Sequence, residues 1–463
     1  MKDKCESQSI EVKTVAKGTP ERLYDTLSSF SNQNGGGVII FGISEADGFA
    51  LTGVYDPQDI QKKVAEQCEQ MHPKVRPLFT VCEIDGKYIV SAEIGECDTY
   101  EKPCFYLGKG RMRGSYIRVG ESDKPMTEYE VYSYEVFKRK IQDELRTDAR
   151  AQIDDLNSNA ISLYFAKVRE NKKQLSALDD ERILSLQGII QNGKPTIVGE
   201  MLFGVYPQSL FPQYSIIASV VPGTEIGQLG EMGERFSDDK RIEGTIEQML
   251  EDAVSFVVRN MKRKIIIGSD GKRADKTQYP IAAVREAVLN ALIHRDYSIH
   301  TENSPIRLLM FDNRMEIENP GGLYGRGTID KLGETGLDTR NPYIAGALEL
   351  LIGSENRYSG IPTMRFEMKS HSLPDPVFES SQGVFRVTLY NDEASAGESL
   401  KLTDQILSYC ASPRSREELA ERFDFSAPTY FISKYVRPLV REGRLGMTIP
   451  DKPKSKNQHY FAK

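Results

Sequence analysis

The strongest constraint on the fold is a continuous apolar run near the front of the chain. Residues 38–43 (VIIFGI) follow the glycine-rich break Asn34-Gly35-Gly36-Gly37. A run without polar alternation is typical of a strand that is covered on both faces. Leu23, Leu27 and Phe30 precede it at helical spacing, so helix and strand alternate here. The front of the chain is therefore predicted to be a layered α/β segment.

Local signals predict the boundaries of further elements in this segment. Thr19-Pro20 predicts a helix start, with proline at the first helical position, and Asp56-Pro57 predicts a second. Asp85-Gly86 lies between two apolar runs and predicts a two-residue hairpin. Residues 115–119 close the segment as a short strand.

Two more segments follow along the chain. The sequence IAAVREAVLNALIH (residues 281–294) predicts a helix, and strands are expected at 306–311, 314–319 and 383–390. Behind a polar linker, the tail has helix signals from residue 402, from Ser415 with Glu418 as a capping box, and from Ser426. A hairpin-like stretch follows Gly443, so the tail has the rhythm of a winged helix.

With 463 residues, the chain is too long for one core, and an α/β (α+β) multidomain protein is expected. The predicted domains are 1–135, a connector and mixed region at 136–265, 266–395, and 400–463. The six cysteines are scattered, no apolar run is long enough for a membrane helix, and the first residues lack the apolar core of a signal peptide. A cytoplasmic protein without a membrane partner is expected.

The tail is basic although the chain has a net charge of −7. Residues 401–463 contain twelve Lys and Arg against seven Asp and Glu. These cations predict phosphate contacts with nucleic acid, in a helix and a wing that converge on one side; a solvated basic face used for protein contacts is the alternative. Pro438 is expected to kink or end the last helix. The candidate nucleic-acid-binding residues are Lys434, Arg437, Arg441, Arg444, Lys452, Lys454 and Lys456.

Two carboxylate patterns could support chemistry. Glu6 and Glu11, with Lys13 close by, could hold Mg²⁺ or Mn²⁺ and cleave phosphodiesters, although a solvated charged terminus would have the same residues. Glu286 and Asn290 lie four apart and share a helix face. There they could orient a water and hold Mg²⁺ for ATP hydrolysis, but this spacing also arises by chance.

The motifs ESQSIEVK, FSNQNGGGVIIFGI and SYIRVGES resemble the AlbA-type domain of the Schlafen family, over about residues 5–125. Some Schlafen members cut structured RNA with two glutamates and a later aspartate. The resemblance implies Glu6 and Glu11 as catalytic metal ligands, with Lys13 beside the nucleic acid. Glu45 stands near the place of the aspartate.

The motifs REAVLNALIHRDY, EIENPGGL, RNP and ENRYSGI resemble the ATPase-like domain of bacterial RecG-related regulators, over about residues 200–390. That domain is similar to the gyrase, histidine-kinase and MutL (GHKL) ATPases. The resemblance implies an α/β sandwich that takes ATP and Mg²⁺, with Glu286 as base and Asn290 as Mg²⁺ ligand. Asn319, Gly321 and Gly322 would lie beside the adenine, and Ser359 and Gly360 near the phosphates. Asn319 stands where the superfamily has an aspartate.

The tail resembles the winged helices found on ATPase-like bacterial regulators, through MTIPDKPKSKNQHY. Three functions remain open: a nucleic-acid-binding, transcriptional regulator with a nucleotide-sensing middle; a metal-dependent endoribonuclease of stress or phage defence; and an interaction scaffold. We favour the regulator, with DNA preferred over RNA and a homo-oligomeric state expected by analogy. Whether the chain is an enzyme, as a weak ATPase or an endoribonuclease, stays open.

Overall fold

A computed structural model describes most of the chain. The described residues are 8–15, 18, 20, 22–119, 121–267, 273–334, 338–352, 360–381, 383–391, 402, 405–407, 409, 410, 412–423, 428–441, 444–450, 452, 455 and 458–462. They divide into two compact units, one of residues 1–140 with 399–463 and one of residues 141–398.

The front of the chain is built on a four-stranded sheet of order β1-β2-β7-β6. Its strands and the short strands between them are β1 (Ile10–Lys13), β2 (Gly37–Phe41), β3 (Ile43–Ser44), β4 (Ala50–Leu51), β5 (Met71–His72), β6 (Leu78–Ile84) and β7 (Lys87–Ile94). The helices are α1 (Tyr24–Asn32) and α2 (Pro57–Cys68). β1 runs parallel to β2, and both other pairings are antiparallel. The predicted apolar strand is present over Gly37–Phe41, and its buried residues alternate with half-buried ones.

The two predicted helix starts have different outcomes. Asp56 caps α2, since its side chain accepts from the N–H groups of Gln58 and Asp59, as the sequence predicts. The start predicted at Thr19-Pro20 is wrong, because α1 begins at Tyr24. The side chain of Gln67 donates to the carbonyl of Pro20 at 2.9 Å and accepts from the N–H of Leu23 at 2.7 Å. These bonds from α2 hold the segment outside the helix.

The hairpin predicted at Asp85-Gly86 is confirmed. These two residues alone separate β6 from β7, and Ile84 pairs with Lys87. Both have positive φ, 51° and 73°, as a two-residue turn between twisted strands requires.

The rest of the front adds two helices and a short two-stranded ribbon to this sheet. Its elements are β8 (Phe105–Tyr106), α3 (Gly110–Gly114), β9 (Tyr116–Val119), β10 (Ser122–Pro125) and α4 (Glu128–Arg139). A capping box of Thr127 and Glu130 fixes the start of α4.

Residues 141–398 form one unit around a six-stranded sheet of order β14-β13-β17-β18-β20-β19. Strands from both sides of residue 265 are neighbours in it, because β13 pairs with β17 over residues 216–220 and 306–310. The boundary that the sequence analysis placed at 265/266 therefore divides a single sheet. The helices α8 and α9 pack against each other and on the sheet, and their apolar side chains fill the core between them.

The strands of this unit are β11 (Ile190–Gln191), β12 (Lys194–Pro195), β13 (Ile216–Val220), β14 (Asp238–Ile242), β15 (Arg263–Ile267), β16 (Arg273–Thr277), β17 (Ile306–Met310), β18 (Arg314–Pro320), β19 (Val377–Ser381) and β20 (Val384–Tyr390). The helices are α5 (Ser158–Asn171), α6 (Asp180–Leu186), α7 (Ile197–Phe203), α8 (Ile246–Asn260), α9 (Ile281–His294), α10 (Pro342–Ile352) and α11 (Gly360–Ser370). The bounds predicted for α9 are confirmed.

The tail has its own small core and a three-stranded sheet of order β21-β23-β22, with β21 (Arg414–Ser415), β22 (Leu445–Met447) and β23 (His459–Ala462). Ser415 and Glu418 form the predicted capping box at the start of the helix Arg416–Arg422. The next helix begins at Pro428 and continues to Arg441, and it does not end at Pro438. Residues Ile432–Val436 make a π-helical turn directly before that proline. Prolines and π-turns are both places at which helices kink.

Candidate nucleotide and nucleic-acid sites

Glu286, Asn290 and Gly360 come together where the start of α11 packs on α9. A Cβ atom at residue 360 would lie 2.7 Å from Asn290 Nδ2, and 3.1 Å from both Asn290 Oδ1 and Glu286 Oε2. A side chain at residue 360 would therefore force the end of the Asn290 side chain to move. Three of the residues predicted for the nucleotide site thus meet in one place, although Gly360 is 70 residues beyond Asn290 in the chain.

The polar groups at this place include a buried hydrogen-bond donor for which the described residues supply no acceptor. Asn290 Nδ2 is buried and makes no hydrogen bond within the described residues. Glu286 is half-buried, and the loss of solvent around it raises the pKa of its carboxyl above the ordinary value. A carboxyl whose pKa is raised toward neutrality suits proton transfer near physiological pH.

Asn319 lies near the end of β18, and Gly321 directly follows this strand, next to the residues that follow α9. Asn319 is 3% exposed, and its Oδ1 is buried without a hydrogen-bond partner among the described residues. The N–H of Asp296 donates to the carbonyl of Pro320 at 2.9 Å, which joins the end of α9 to this loop. Gly321 has φ of 109°, and a Cβ there would lie 2.7 Å from the Cβ of Asp296. Gly321 is required for both the turn and the close approach.

A buried ion pair fixes the loop in position. Arg340 Nη1 lies 3.0 Å from Asp296 Oδ2, and its Nη2 donates to the carbonyl of Gly322 at 3.2 Å. Asp296 is fully buried and also accepts from the N–H of Ser298. Arg295 is buried too, with its guanidinium 4.6 Å from the ring centre of Tyr214. The charged residues after α9 therefore form a structural network.

These orphaned groups fit an adenine nucleotide with Mg²⁺. An amide oxygen such as Asn319 Oδ1 can accept a hydrogen bond from an exocyclic amino group. Asn290 can present its oxygen to a magnesium ion once the amide is turned. Ser359 lies outside the described residues. A Cβ atom at residue 322 would lie 3.2 Å from Ser380 Oγ and 3.9 Å from the Cα of Gly383.

Comparisons with known families match three separate ranges of the chain, each within one of the two compact units. Residues 6–127 match the family "Schlafen, AlbA_2", and residues 303–389 match "Putative ATP-dependent DNA helicase recG C-terminal". The chain carries an AlbA_2 domain and a RecG-type C-terminal region. The second match begins after α9, so Glu286 and Asn290 lie outside it. Residues 404–461 match "Filamentation induced by cAMP protein Fic-like, C-terminal domain".

Solved structures also match the chain. One is the DIP2311 protein from Corynebacterium diphtheriae, 17% identical, with 98% of this chain and 92% of that chain covered and a TM-score of 0.42. Another is the N-terminal domain of "Putative ATP-dependent DNA Helicase RecG-related Protein" from Nitrosomonas europaea, 27% identical, with 26% of this chain and 85% of that chain covered and a TM-score of 0.22. No curated protein matches the chain significantly.

In the AlbA_2 domain, the predicted metal ligand Glu11 is already paired. It is 6% exposed, and its two oxygens contact Arg118 Nη2 at 2.6 Å and the ammonium of Lys13. Arg118 in turn pairs with Asp123 at 3.0 Å and lies over the ring of Phe30. Lys13, predicted to contact nucleic acid, thus has its charge balanced by Glu11.

The other predicted carboxylates are not seen to join Glu11. Glu45 is exposed in the turn between β3 and β4, and Glu6 lies outside the described residues. No group of three His, Cys, Asp or Glu within the described part of the chain could hold a metal ion. The nuclease hypothesis stays a prediction.

The structure describes the side chains of four of the seven cations predicted to bind nucleic acid in the tail. Arg444 and Lys452 are exposed, whereas Lys434 and Arg437 are half-buried on the helix that contains the π-turn. The ammonium of Lys434 lies 5.3 Å from the ring centre of Tyr435. Lys454, Lys456 and the side chain of Arg441 lie outside the described residues. Convergence on one basic surface, and the winged-helix assignment, therefore stay predictions.

Sequence reasoning did not anticipate two structural arginines. Arg118 and Arg340 each hold a carboxylate from a distant part of the chain, at Glu11 and Asp296. Both arginines belong to the motifs SYIRVGES and RNP, but the sequence does not show which carboxylate each arginine contacts.

Among the described residues, no helix has the length and apolar character to cross a membrane.

Proposed function

We propose that the chain is a nucleic-acid-binding regulator whose middle unit binds ATP and Mg²⁺. The observation that carries the proposal is the meeting of Glu286, Asn290 and Gly360, where Asn290 Nδ2 is buried and has no hydrogen-bond partner among the described residues. A buried polar atom without a partner costs roughly 1–3 kcal/mol. A ligand that forms hydrogen bonds to such atoms removes this cost and so stabilises the protein.

Each residue of the site has a defined part in this proposal. Asn319 Oδ1 accepts a hydrogen bond from the adenine amino group, and Gly321 and Gly322 leave room for the base. Asn290 holds Mg²⁺ through its amide oxygen, while Gly360 brings the N–H groups at the start of α11 toward the phosphates. Glu286 orients a water and takes its proton. Bound ATP supplies the phosphoryl group, and slow hydrolysis would set the lifetime of the bound state.

The nucleic-acid part of the proposal depends on the domains and on the tail. The matched families carry the names of Schlafen and of a DNA helicase. Arg444 and Lys452 are exposed in a tail whose cations outnumber its anions by twelve to seven. Such cations contact phosphates and give binding with little base preference. Duplex DNA is the partner we favour, and regulation of transcription is the role.

Nucleotide binding is tested by calorimetry on the full chain with a non-hydrolysable ATP analogue, with and without Mg²⁺. Gly360→Ala should weaken binding at least roughly tenfold, because the new methyl group displaces Asn290. Gly346→Ala is the matched control: it lies in α10, where a Cβ meets no atom within 4 Å. A wild-type chain that binds no analogue at millimolar concentration would refute the nucleotide site.

Nucleic-acid binding is tested with labelled duplex DNA and structured RNA over a range of salt concentrations, with and without Mg²⁺ and ATP. Arg444→Ala should lower the slope of log affinity against log salt by about one unit. Arg182→Ala removes an exposed arginine from α6 and should leave the slope unchanged. RNA cleavage that is abolished by Glu11→Ala would replace the regulator by the nuclease.

A further inference from the structure

The amide of Asn319 lies on the side of the central sheet that packs against α9. Side chains alternate along a strand, so Asn319 of β18 faces the same side as Met315 and Ile317. Both of these residues are buried in one core with the apolar side chains of α9. Asn319 itself is 3% exposed, and no described residue donates a hydrogen bond to its Oδ1. A polar group at the end of an apolar row is therefore available to a ligand that enters this layer.

The carboxylates of β18 lie on the other side of the sheet. Glu316 and Glu318 alternate with Asn319 and so face away from α9. There Glu316 Oε1 lies 2.6 Å from Arg314 Nε, and Glu318 Oε1 lies 2.7 Å from Arg386 Nη2. The polar side chain that β18 turns toward α9 is therefore an amide and not a carboxylate.

A further carboxylate, Asp296, lies against the turn at Gly321 but is already held by other groups. A Cβ atom at residue 321 would lie 2.7 Å from the Cβ of Asp296. Asp296 is fully buried, with its Oδ2 at 3.0 Å from Arg340 Nη1, and its Oδ1 accepts from the N–H of Ser298 at 2.8 Å. A carboxylate that is paired with a cation and a backbone donor is not available to read a base. Base recognition at this end of the site therefore depends on the amide of Asn319.

Adenine and guanine differ in the group on C6. Adenine carries an amino group there, which donates a hydrogen bond, whereas guanine carries an oxygen, which accepts one. An ionised carboxylate can only accept, so it would bind the adenine amino group and repel the guanine oxygen. An amide has an accepting oxygen and a donating NH₂ group, which exchange places when the amide turns over. Since no described residue donates to Oδ1 of Asn319, no such bond prevents this turn.

We propose that the nucleotide site binds guanine nucleotides as well as adenine nucleotides. Asn319 accepts from the adenine amino group through Oδ1, and it donates to the guanine oxygen through Nδ2. This inference rests on the proposed nucleotide function and adds the class of bases that the site takes. ATP and GTP then compete for one site, so its occupancy follows the sum of the two purine triphosphates.

Calorimetry on the full chain with Mg²⁺ tests the proposal, with the imido analogues of ATP and GTP as ligands. The wild type should bind both analogues with dissociation constants within about tenfold of each other, because each base forms a hydrogen bond to Asn319. An excess of either analogue should abolish the heat of binding of the other, because both occupy the same site.

The outcomes separate this inference from the proposed function. A wild type that binds the ATP analogue but not the GTP analogue at millimolar concentration overturns the inference and leaves the nucleotide site standing. A wild type that binds neither analogue refutes both. Binding of the GTP analogue that excess ATP analogue does not displace would mean a different site, and it would also overturn the inference.

Asn319→Asp tests whether this residue reads the base. The carboxylate keeps an acceptor for adenine and removes the donor for guanine. Affinity for the GTP analogue should fall at least roughly tenfold more than affinity for the ATP analogue, because the guanine oxygen would face a carboxylate oxygen. The measurement is made at pH 8, since burial raises the pKa of a carboxyl and the protonated form would donate as the amide does.

The ratio of the two affinities is the quantity that decides this second experiment. Both ligands are measured on one preparation, so a smaller folded fraction of the variant cancels in the ratio. Asn159→Asp makes the same change on an exposed side chain of α5 and should keep the wild-type ratio. An Asn319→Asp chain that has the circular dichroism of the wild type and either keeps its ratio or binds neither analogue would overturn the role of Asn319.

Discussion

Two predicted sites, around Glu11 in the AlbA_2 domain and around Asn290 in the middle unit, differ in what their side chains already contact. Glu11 lies between Arg118 and Lys13, and Arg118 also holds Asp123. Asn290 Nδ2 has no partner within the described residues, although it is buried. From the sequence, both sites were candidate constellations of carboxylate or amide groups.

The difference shows how burial can separate a structural cluster from a binding site. A buried charge that is paired stabilises the fold only through its partner, and it is not available to a ligand. A buried amide without a partner costs stability in the empty protein and gains it back when a ligand binds. Changes to the first site should therefore affect folding, and changes to the second should affect binding.

The largest expected effect is that of Arg118→Met. It leaves Glu11 with Lys13 alone and takes the arginine from the half-buried Asp123, which should lower the stability of the AlbA_2 domain by up to about 3–5 kcal/mol. Amide hydrogen exchange of α1 and β9 measures this loss locally. Arg22→Met, which removes an exposed pair with Asp25 at 3.6 Å, should change little. If Arg118→Met were equally mild, the cluster would not be structural.

Arg340→Met should be similarly destabilising but should also affect the ligand. It removes the arginine partner of the buried Asp296 and frees the loop at Gly322, at a cost of up to about 3–5 kcal/mol. Affinity for the ATP analogue should fall in parallel, because the loop holds Asn319 in place. Arg326→Met, which breaks an exposed pair with Asp338, is the control. Unchanged nucleotide affinity in Arg340→Met would separate the loop from the site.

The middle unit should also lose stability as the pH rises. Burial raises the pKa of Glu200 to about 7, so its contribution to stability is complete below the unfolded-state pKa of 4.5 and is lost as the pH rises through about 7. The shift corresponds to about 3 kcal/mol. Glu200→Gln should therefore be more stable than the wild type at pH 8 and similar at pH 4.5, in urea unfolding.

Glu144→Gln is the informative contrast to Glu200→Gln. Burial raises the pKa of Glu144 to about 7 as well, but its oxygens accept from the N–H groups of Tyr343 and Ile344, each at 2.9 Å. An amide would turn an N–H group toward one of these donors, so this variant should be less stable at both pH values. Equal behaviour of the two variants would contradict this assignment.

The smallest change in stability is expected for Asn319→Leu, which should raise the free energy of unfolding where Arg118→Met and Arg340→Met lower it. Replacing an orphaned buried oxygen with an apolar group of similar size should stabilise the empty protein by about 1 kcal/mol. The same change should abolish binding of the adenine nucleotide. Thermal unfolding with and without the ATP analogue and Mg²⁺ measures both effects. A destabilised empty protein would show that Asn319 serves the fold.

Features that depend on neighbouring residues were predicted well. The bounds of α9, the hairpin at Asp85-Gly86 and the capping box at Ser415 were all predicted from the sequence and are present. The start of α1 was misplaced, because Gln67, more than forty residues away, holds Pro20 and Leu23 outside the helix. Of the two outcomes predicted for Pro438, an early end of the helix is wrong, because the helix continues to Arg441, whereas a kink stays a prediction.

The sequence by itself determined the local hydrogen bonding and the periodicity of its elements, because caps, turns and helix faces need only residues a few positions apart. Tertiary structure alone decided that Gly360 meets Asn290, that Arg118 neutralises Glu11, and that strands on both sides of residue 265 share one sheet. These contacts join residues 70 or more positions apart. Their energy comes from burial and from pairing in a low-dielectric interior, which no local pattern records.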